Sequence, residues 1–158
     1  MLPRLTIRRA RQADAEDVAA LTDSAYQKYV PLLGRKPQPM TADYRRMIKE
    51  NGVWLLSSED HPAGVLVLIT EPECLLIYSV AIRPELQKQG MGRYLLAWAE
   101  EEARRVGCQR IRLYTNSLME ANIALYTQLG YLETHREPYA GSTLVHMSKW
   151  LEGDVRQT

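Results

Sequence analysis

Cys74-Leu-Leu-Ile-Tyr-Ser-Val-Ala-Ile82, then Arg83-Pro-Glu-Leu-Gln-Lys-Gln-Gly-Met-Gly92, then Arg93 to Val106 is the stretch whose reading decides the fold. The first part is an almost unbroken apolar run with Ile77, Tyr78, Val80 and Ile82, the pattern of a strand covered on both faces. Pro84 stops it. In the last part Met91, Tyr94, Leu95, Trp98, Ala99, Ala103 and Val106 recur at helical spacing, with Arg93, Glu100, Glu101, Arg104 and Arg105 on the opposite side. Gly107 is placed to end that helix with a left-handed cap.

Between strand and helix, Gly90 and Gly92 bring two residues without side chains to a helix start. Backbone N–H groups can converge there on a ligand with no Cβ in the way. The first-turn N–H groups of a helix lack intrahelical partners and the macrodipole adds about half a positive charge, so such a start suits an anion, above all a phosphate. Lys88 and Arg93 inside the turn, and Arg83 before it, would add charge. On glycine spacing alone, a flexible strand-to-helix connection accounts for the turn equally well. Two other phosphate motifs do not fit. A dinucleotide fingerprint needs a third glycine where Leu95 stands, and no Gly-Lys-Ser/Thr follows for a nucleotide-triphosphatase loop.

These residues resemble the GCN5-related N-acetyltransferases, the GNAT superfamily. That family's signature, Arg/Gln-x-x-Gly-x-Gly/Ala after the fourth strand, is matched by Gln87-Lys88-Gln89-Gly90-Met91-Gly92. A later segment, Asn122-Ile-Ala124-Leu-Tyr126-Thr-Gln-Leu-Gly130-Tyr131, is similar to its second motif, in the right order and at the right separation. The resemblance covers nearly the whole chain. It implies an α+β sandwich, a mixed and mostly antiparallel sheet of six or seven strands with helices on both faces, and strands four and five splayed to admit acetyl-CoA.

Composition sets compatible bounds. With 158 residues, ordinary apolar and charged fractions and no low-complexity tract, the expectation is one domain over residues 1–158. A net charge of +1 removes the electrostatic argument for nucleic acid or an anionic membrane as partner. Cys74 and Cys108 are not paired by spacing, which suits reduced thiols in a cytoplasmic protein. No apolar run approaches a membrane span, so neither signal peptide nor anchor is expected. His61, His135 and His146 lack ligand spacing and no metal is expected. No Gly-x-Ser-x-Gly elbow occurs, and Cys74 suits a core position better than a nucleophile's. Trp54, Trp98 and the tyrosines read as core or pocket residues.

Elsewhere the chain offers strand alternation at Leu5–Arg9 and a helix opening at Asp14-Ala-Glu-Asp-Val18 that Pro31 should end. The segment 31–41, with three prolines, Gly34, Arg35 and Lys36, reads as an irregular loop suited to shaping an acceptor pocket. A short helix is expected over Thr41–Glu50, and a hairpin from Val53–Ser57 and Ala63–Thr70 joined by Ser58–Pro62. Arg110–Tyr114 alternates and should run parallel to the central strand. Ser117-Leu-Met-Glu120 matches a capping box for a helix ending at Gly130, with Leu118, Ile123, Leu125 and Leu129 toward the core. A last hairpin is expected from Tyr131–Arg136 and Thr143–Lys149 around a turn at Glu137–Ser142.

By resemblance, the protein is an acyltransferase moving an acetyl group directly from acetyl-CoA to a primary amine, on a small molecule or a peptide, in a ternary complex. That leaves room for a homodimer. The chemistry needs a polarised carbonyl, a neutral attacking amine and a proton for the departing thiolate, whose thiol pKa is about 8.5. The resemblance gives these tasks to the Val80 N–H for the carbonyl, the backbone of Val80, Ala81 and Ile82 for the pantetheine arm, and the N–H groups of Gln87, Lys88, Gln89, Gly90, Met91, Gly92 and Arg93 for the pyrophosphate. Asn122 would bond the pantetheine arm and Tyr126 would be the general acid. No carboxylate lies inside the central strand, so the base is Glu71, Glu73 or water. The competing reading is a non-catalytic GNAT-fold module that binds acyl-CoA.

Overall fold

Alternating residues at the start of the chain form strand β1, Leu5–Arg9, as its pattern requires. The computed structural model describes residues 3–152. Helix α1 is Ala15–Tyr26 and α2 Val30–Leu33; α3 is Tyr44–Glu50. Strands β2, Gly52–Ser58, and β3, His61–Thr70, lead to β4, Cys74–Ile82, and then to helix α4, Met91–Arg105. After β5, Arg110–Asn116, and α5, Glu120–Gln128, the chain closes with β6, Leu132–Tyr139, and β7, Ser142–Trp150. The strands make one seven-stranded mixed sheet in the order β1-β2-β3-β4-β5-β7-β6. β4 and β5 are parallel, as expected, and their register spans Cys74–Leu76 against Arg110–Arg112, three of β5's seven residues. A register that short suits strands that part.

The chain forms two compact units, one running to Ile69 with Tyr78–Trp98, the other Thr70–Ile77 with the chain from Ala99 on. In the first unit, Val18, Leu21 and Ala25 of α1 pack with Tyr44, Val53, Leu55, Val65, Val67 and Ala81 in one buried cluster. Gly64 lies where a Cβ would stand 2.9 Å from the Ala81 carbonyl and the Ile82 side chain, so no larger residue fits there. In the second unit Ile111, Leu113, Val145, Met147 and Tyr131 are buried.

Several local expectations are corrected. Pro31 does not end the first helix; α1 stops at Tyr26, and Pro31 opens the short α2, where its missing N–H costs nothing. Gly34, at φ +70°, ends α2, so segment 31–41 is not wholly irregular, and Gln38–Met40 adds a 3₁₀ turn. The next helix starts three residues later than expected because Asp43 caps it, accepting from the Arg46 N–H. In the β2–β3 hairpin Glu59 and Asp60 both take positive φ, which makes a two-residue turn and leaves His61 and Pro62 in the strand. Tyr94 of α4 and Val106 just past its end are exposed, while Leu96 joins the buried face.

The capping box at Ser117–Glu120 does not form. α5 begins at Glu120 with Met119 at its cap and no side-chain cap bond, because Ser117 donates its N–H to the Thr143 carbonyl and Asn116 takes over the turn. Leu118 is exposed and α5 has no buried residue; Ile123, Leu125 and Leu129 are half-buried. The final hairpin is longer than expected, with Glu137, Pro138 and Tyr139 in β6 and the turn confined to Ala140 and Gly141. β6 is a sheet edge, where proline is tolerated.

Candidate functional site

The first unit carries the turn. β4 ends at Ile82 and Pro84–Leu86 makes one 3₁₀ turn. Gln87 then pins the loop: its Nε2 donates to the Ile82 carbonyl at 2.9 Å while its Oε1 accepts from Lys28 Nζ at 2.7 Å. Lys28 follows α1 and has no local sequence signal for this role. Lys88 and Gly90 adopt φ +63° and +88°, so the loop turns sharply twice before the Gly90 carbonyl accepts the first helical bond from the Tyr94 N–H. The N–H groups of Met91, Gly92 and Arg93 thus come before that first bond, as a helix start demands. A Cβ added at Gly90 or Gly92 would meet nothing within 4 Å among the described residues. The two glycines therefore face open space rather than filling a packing gap. Arg83, expected to add charge, donates its Nε to the Pro62 carbonyl.

Val80 and Ala81 lie at the end of β4, Val80 half-buried and Ala81 and Ile82 buried. Tyr26 reaches them from α1: its hydroxyl lies 3.3 Å from the Val80 carbonyl and from Ser79 Oγ. Nothing in the local pattern around Tyr26 signals this contact, which depends on how α1 packs on the sheet.

The second unit carries Asn122 and Tyr126, one turn apart on α5 and half-buried. The Tyr126 ring meets Tyr131 edge-on, centroids 6.0 Å apart, and its carbonyl accepts from the Tyr131 N–H. Tyr131 is fully buried, with a hydroxyl that has no hydrogen-bond partner among the described residues, and burial, then Glu100, drives its pKa up. Lys149 steadies the same corner, bonding Glu100 at 3.1 Å and the Leu129 carbonyl at 2.8 Å. Tyr126 therefore packs against a buried, hydrogen-bonded corner.

Of the two carboxylates considered as base, Glu71 is engaged. Both its oxygens accept from Arg112 at 2.7 Å, and that guanidinium, with Cys74 adding a further bond, lowers its pKa. A carboxylate stabilised as an anion is a poorer proton acceptor. Glu73 is exposed in the turn before β4. Cys74 is buried and its thiol pKa is raised by burial and by the hydrogen bond to Glu71, which suits a packed thiol and not a nucleophile. Among the described residues, no group of three or more His, Cys, Asp or Glu could hold a metal, and no helix is long and apolar enough to cross a membrane.

With the strand order, the glycine turn and the α5 pair in place, a family comparison decides the class. Residues 17–131 match the family model described as acetyltransferase (GNAT) family. The chain belongs to this family. It is 34% identical to the uncharacterized N-acetyltransferase YvbK of Bacillus subtilis over 46% of this chain and 47% of that protein. It is 37% identical to the aminoalkylphosphonate N-acetyltransferase of Salmonella typhimurium over 37% of this chain and 38% of the relative. The chain thus aligns with less than half the length of these curated relatives. In fold, it superposes on the PaiA N-acetyltransferase of Thermoplasma acidophilum, solved in complex with coenzyme A, with a TM-score of 0.75 at 15% identity, covering 93% of this chain and 99% of that one.

Proposed function

We propose that the chain, acting as one domain in the cytoplasm, is an acetyl-CoA-dependent N-acetyltransferase that passes the acetyl group directly to a primary amine. The observation that carries this reading is the start of α4, where Lys88 and Gly90 take positive φ and an added Cβ at Gly90 or Gly92 would meet nothing within 4 Å among the described residues. That is the form a pyrophosphate site takes. Acetyl-CoA is the co-substrate. The N–H groups from Gln87 to Arg93 hold its pyrophosphate, Val80, Ala81 and Ile82 offer backbone to its pantetheine arm, and Asn122 bonds the same arm. The Val80 N–H polarises the thioester carbonyl. Tyr126 gives its proton to the departing thiolate, which a phenol of ordinary pKa about 10 can do while staying protonated at neutral pH. With Glu71 held by Arg112, Glu73 and water remain for the amine's proton.

The test is thiol release by the purified chain with acetyl-CoA and a panel of amines, including simple alkylamines, amino acids, aminoalkylphosphonates and peptide N-termini. Turnover with at least one acceptor is expected. Saturable acetyl-CoA binding with no turnover on any amine would overturn catalysis in favour of an acyl-CoA-binding module.

A further inference from the structure

The second unit has a pocket that none of these roles uses. It opens on the face of β5, β7 and β6 marked by Arg110, Arg112 and Tyr114, which alternate with the buried Ile111, Leu113 and Thr115. The register sets Arg112 opposite Ser148 and Tyr114 opposite His146, and sets His146 also opposite His135. A bulge in β6 at Thr134 shifts the register between Glu133 and His135. Bulges re-aim side chains in this way. The two imidazoles stack at 4.2 Å and 10°, and the Tyr114 ring lies 5.4 Å from His146. The resulting pocket, about 410 Å³, is large enough for a small ligand and has Arg110, Arg112, Thr134, His135, His146 and Ser148 in its wall.

Among the described residues, no carboxylate lines it. The acids nearby are already engaged, Glu71 by Arg112 and Glu137 by His146 Nε2 at 2.6 Å. Arg112 meets Glu71 through Nε and Nη2. Among the described residues Arg110 makes a 3.8 Å contact from Nη2 to Cys74 Sγ, with its guanidinium 5.8 Å from the Trp150 ring centroid. Most of the donors on these two forks are therefore still available to a ligand. His146 Nδ1 is buried and has no hydrogen-bond partner among the described residues, although its ring is fixed from both sides.

We propose that this pocket binds a small oxyanion, a carboxylate, phosphate or phosphonate, gripped by Arg110 and Arg112 and completed by Ser148. The His146 ring is faced by His135 on β6 and Tyr114 on β5. The oxyanion is either free in solution or the acid head of the acceptor amine, and only the second source rests on the function proposed above.

The three histidines of the chain make the test direct, because each gives one resolved ring-proton resonance. Inorganic phosphate titrated into the full chain at about pH 6 is expected to shift the His135 and His146 signals saturably, assigned through His135→Gln and His146→Gln, and to leave His61 in place. Arg110→Gln, at a half-exposed position, should raise the phosphate Kd at least about tenfold. Acetyl transfer then separates the sources. Phosphate competing against aminoethylphosphonate but not against butylamine assigns the pocket to the acceptor's acid head; no effect on either assigns it to a free anion. An absence of saturable shift at tens of millimolar phosphate, or an equal shift in Arg110→Gln, overturns the proposal whether or not the chain turns over.

Discussion

The starts of α4 and α5 carry the two family motifs and are built in opposite ways. At α4 the backbone itself makes the feature: Lys88 and Gly90 at positive φ, open space beside both glycines, and a helix anchored by the buried Met91, Leu95, Leu96, Ala99 and Ala103. At α5 the helix is nine residues long and none is buried. Its neighbours hold it instead. Asn116 Oδ1 accepts from the Leu118 N–H and from Ser142 Oγ, Tyr131 donates back to the Tyr126 carbonyl, and Lys149 bonds the Leu129 carbonyl. A feature made of backbone resists side-chain change except at its glycines. A feature made of one hydroxyl on a borrowed scaffold depends on that atom.

The sharpest way to break this comparison is to remove the hydroxyl. Tyr126→Phe keeps the ring and its edge-on contact with Tyr131, so folding and acetyl-CoA affinity should change little. Loss of the proton should cut kcat by about 10²-fold or more. Wild-type turnover with chemistry shown to limit the rate would leave water as the donor and make Tyr126 a packing residue.

At α4 the corresponding change adds atoms. Gly92 lies inside the helix and an added Cβ meets nothing, so Gly92→Ala should leave stability equal or raise it by about 0.5–1 kcal/mol. On the proposed pyrophosphate site the methyl would crowd the phosphate, and acetyl-CoA affinity should fall about tenfold. Gly90→Val should lose at least as much affinity and some stability too, since φ +88° strains a β-branched residue. Calorimetry on both separates blocked approach from backbone strain. Unchanged affinity in a folded Gly92→Ala protein would reduce the turn to a connector.

The same contrast explains which features could be read before the fold. β4 was legible residue for residue because its run is almost unbroken in apolar residues and Pro84 bounds it, and Gly107, at φ +85°, caps α4 where expected. Such signals act locally. The box at Ser117 and Glu120 is an equally local pattern, yet it lost to the pairing of Ser117 with Thr143, a partner far along the chain. Pro31 misled because proline both blocks a helix interior and suits a first turn, and sequence alone does not tell which. Within the candidate site, the glycines and the Asn122–Tyr126 pair carried their own signal. Lys28 on Gln87, Tyr26 on Val80 and the Thr134 bulge beneath His135 did not, since each depends on where a distant element packs.

The smallest expected effect concerns Glu71, which the sequence offers as a base and the fold commits to an ion pair. Glu71→Gln should leave kcat within about threefold, because a carboxylate held by Arg112 contributes little as a proton acceptor. Stability should fall by about 1–2 kcal/mol at neutral pH, since Arg112 loses two charge-assisted bonds at a site where both side chains are about a quarter exposed. The pH dependence fixes the cause. The folded-state pKa of Glu71 lies below its unfolded value, so its contribution is fully present above the ordinary carboxylate range near 4.3 and is lost as pH falls through the lowered value. The gap between wild type and variant in urea unfolding should therefore hold steady from neutral pH down to about 5 and close in stronger acid. A variant that unfolds like wild type but loses about 10²-fold in kcat, together with the acidic limb of its rate profile, would return Glu71 to the role of base and show that Arg112 orients it for that work.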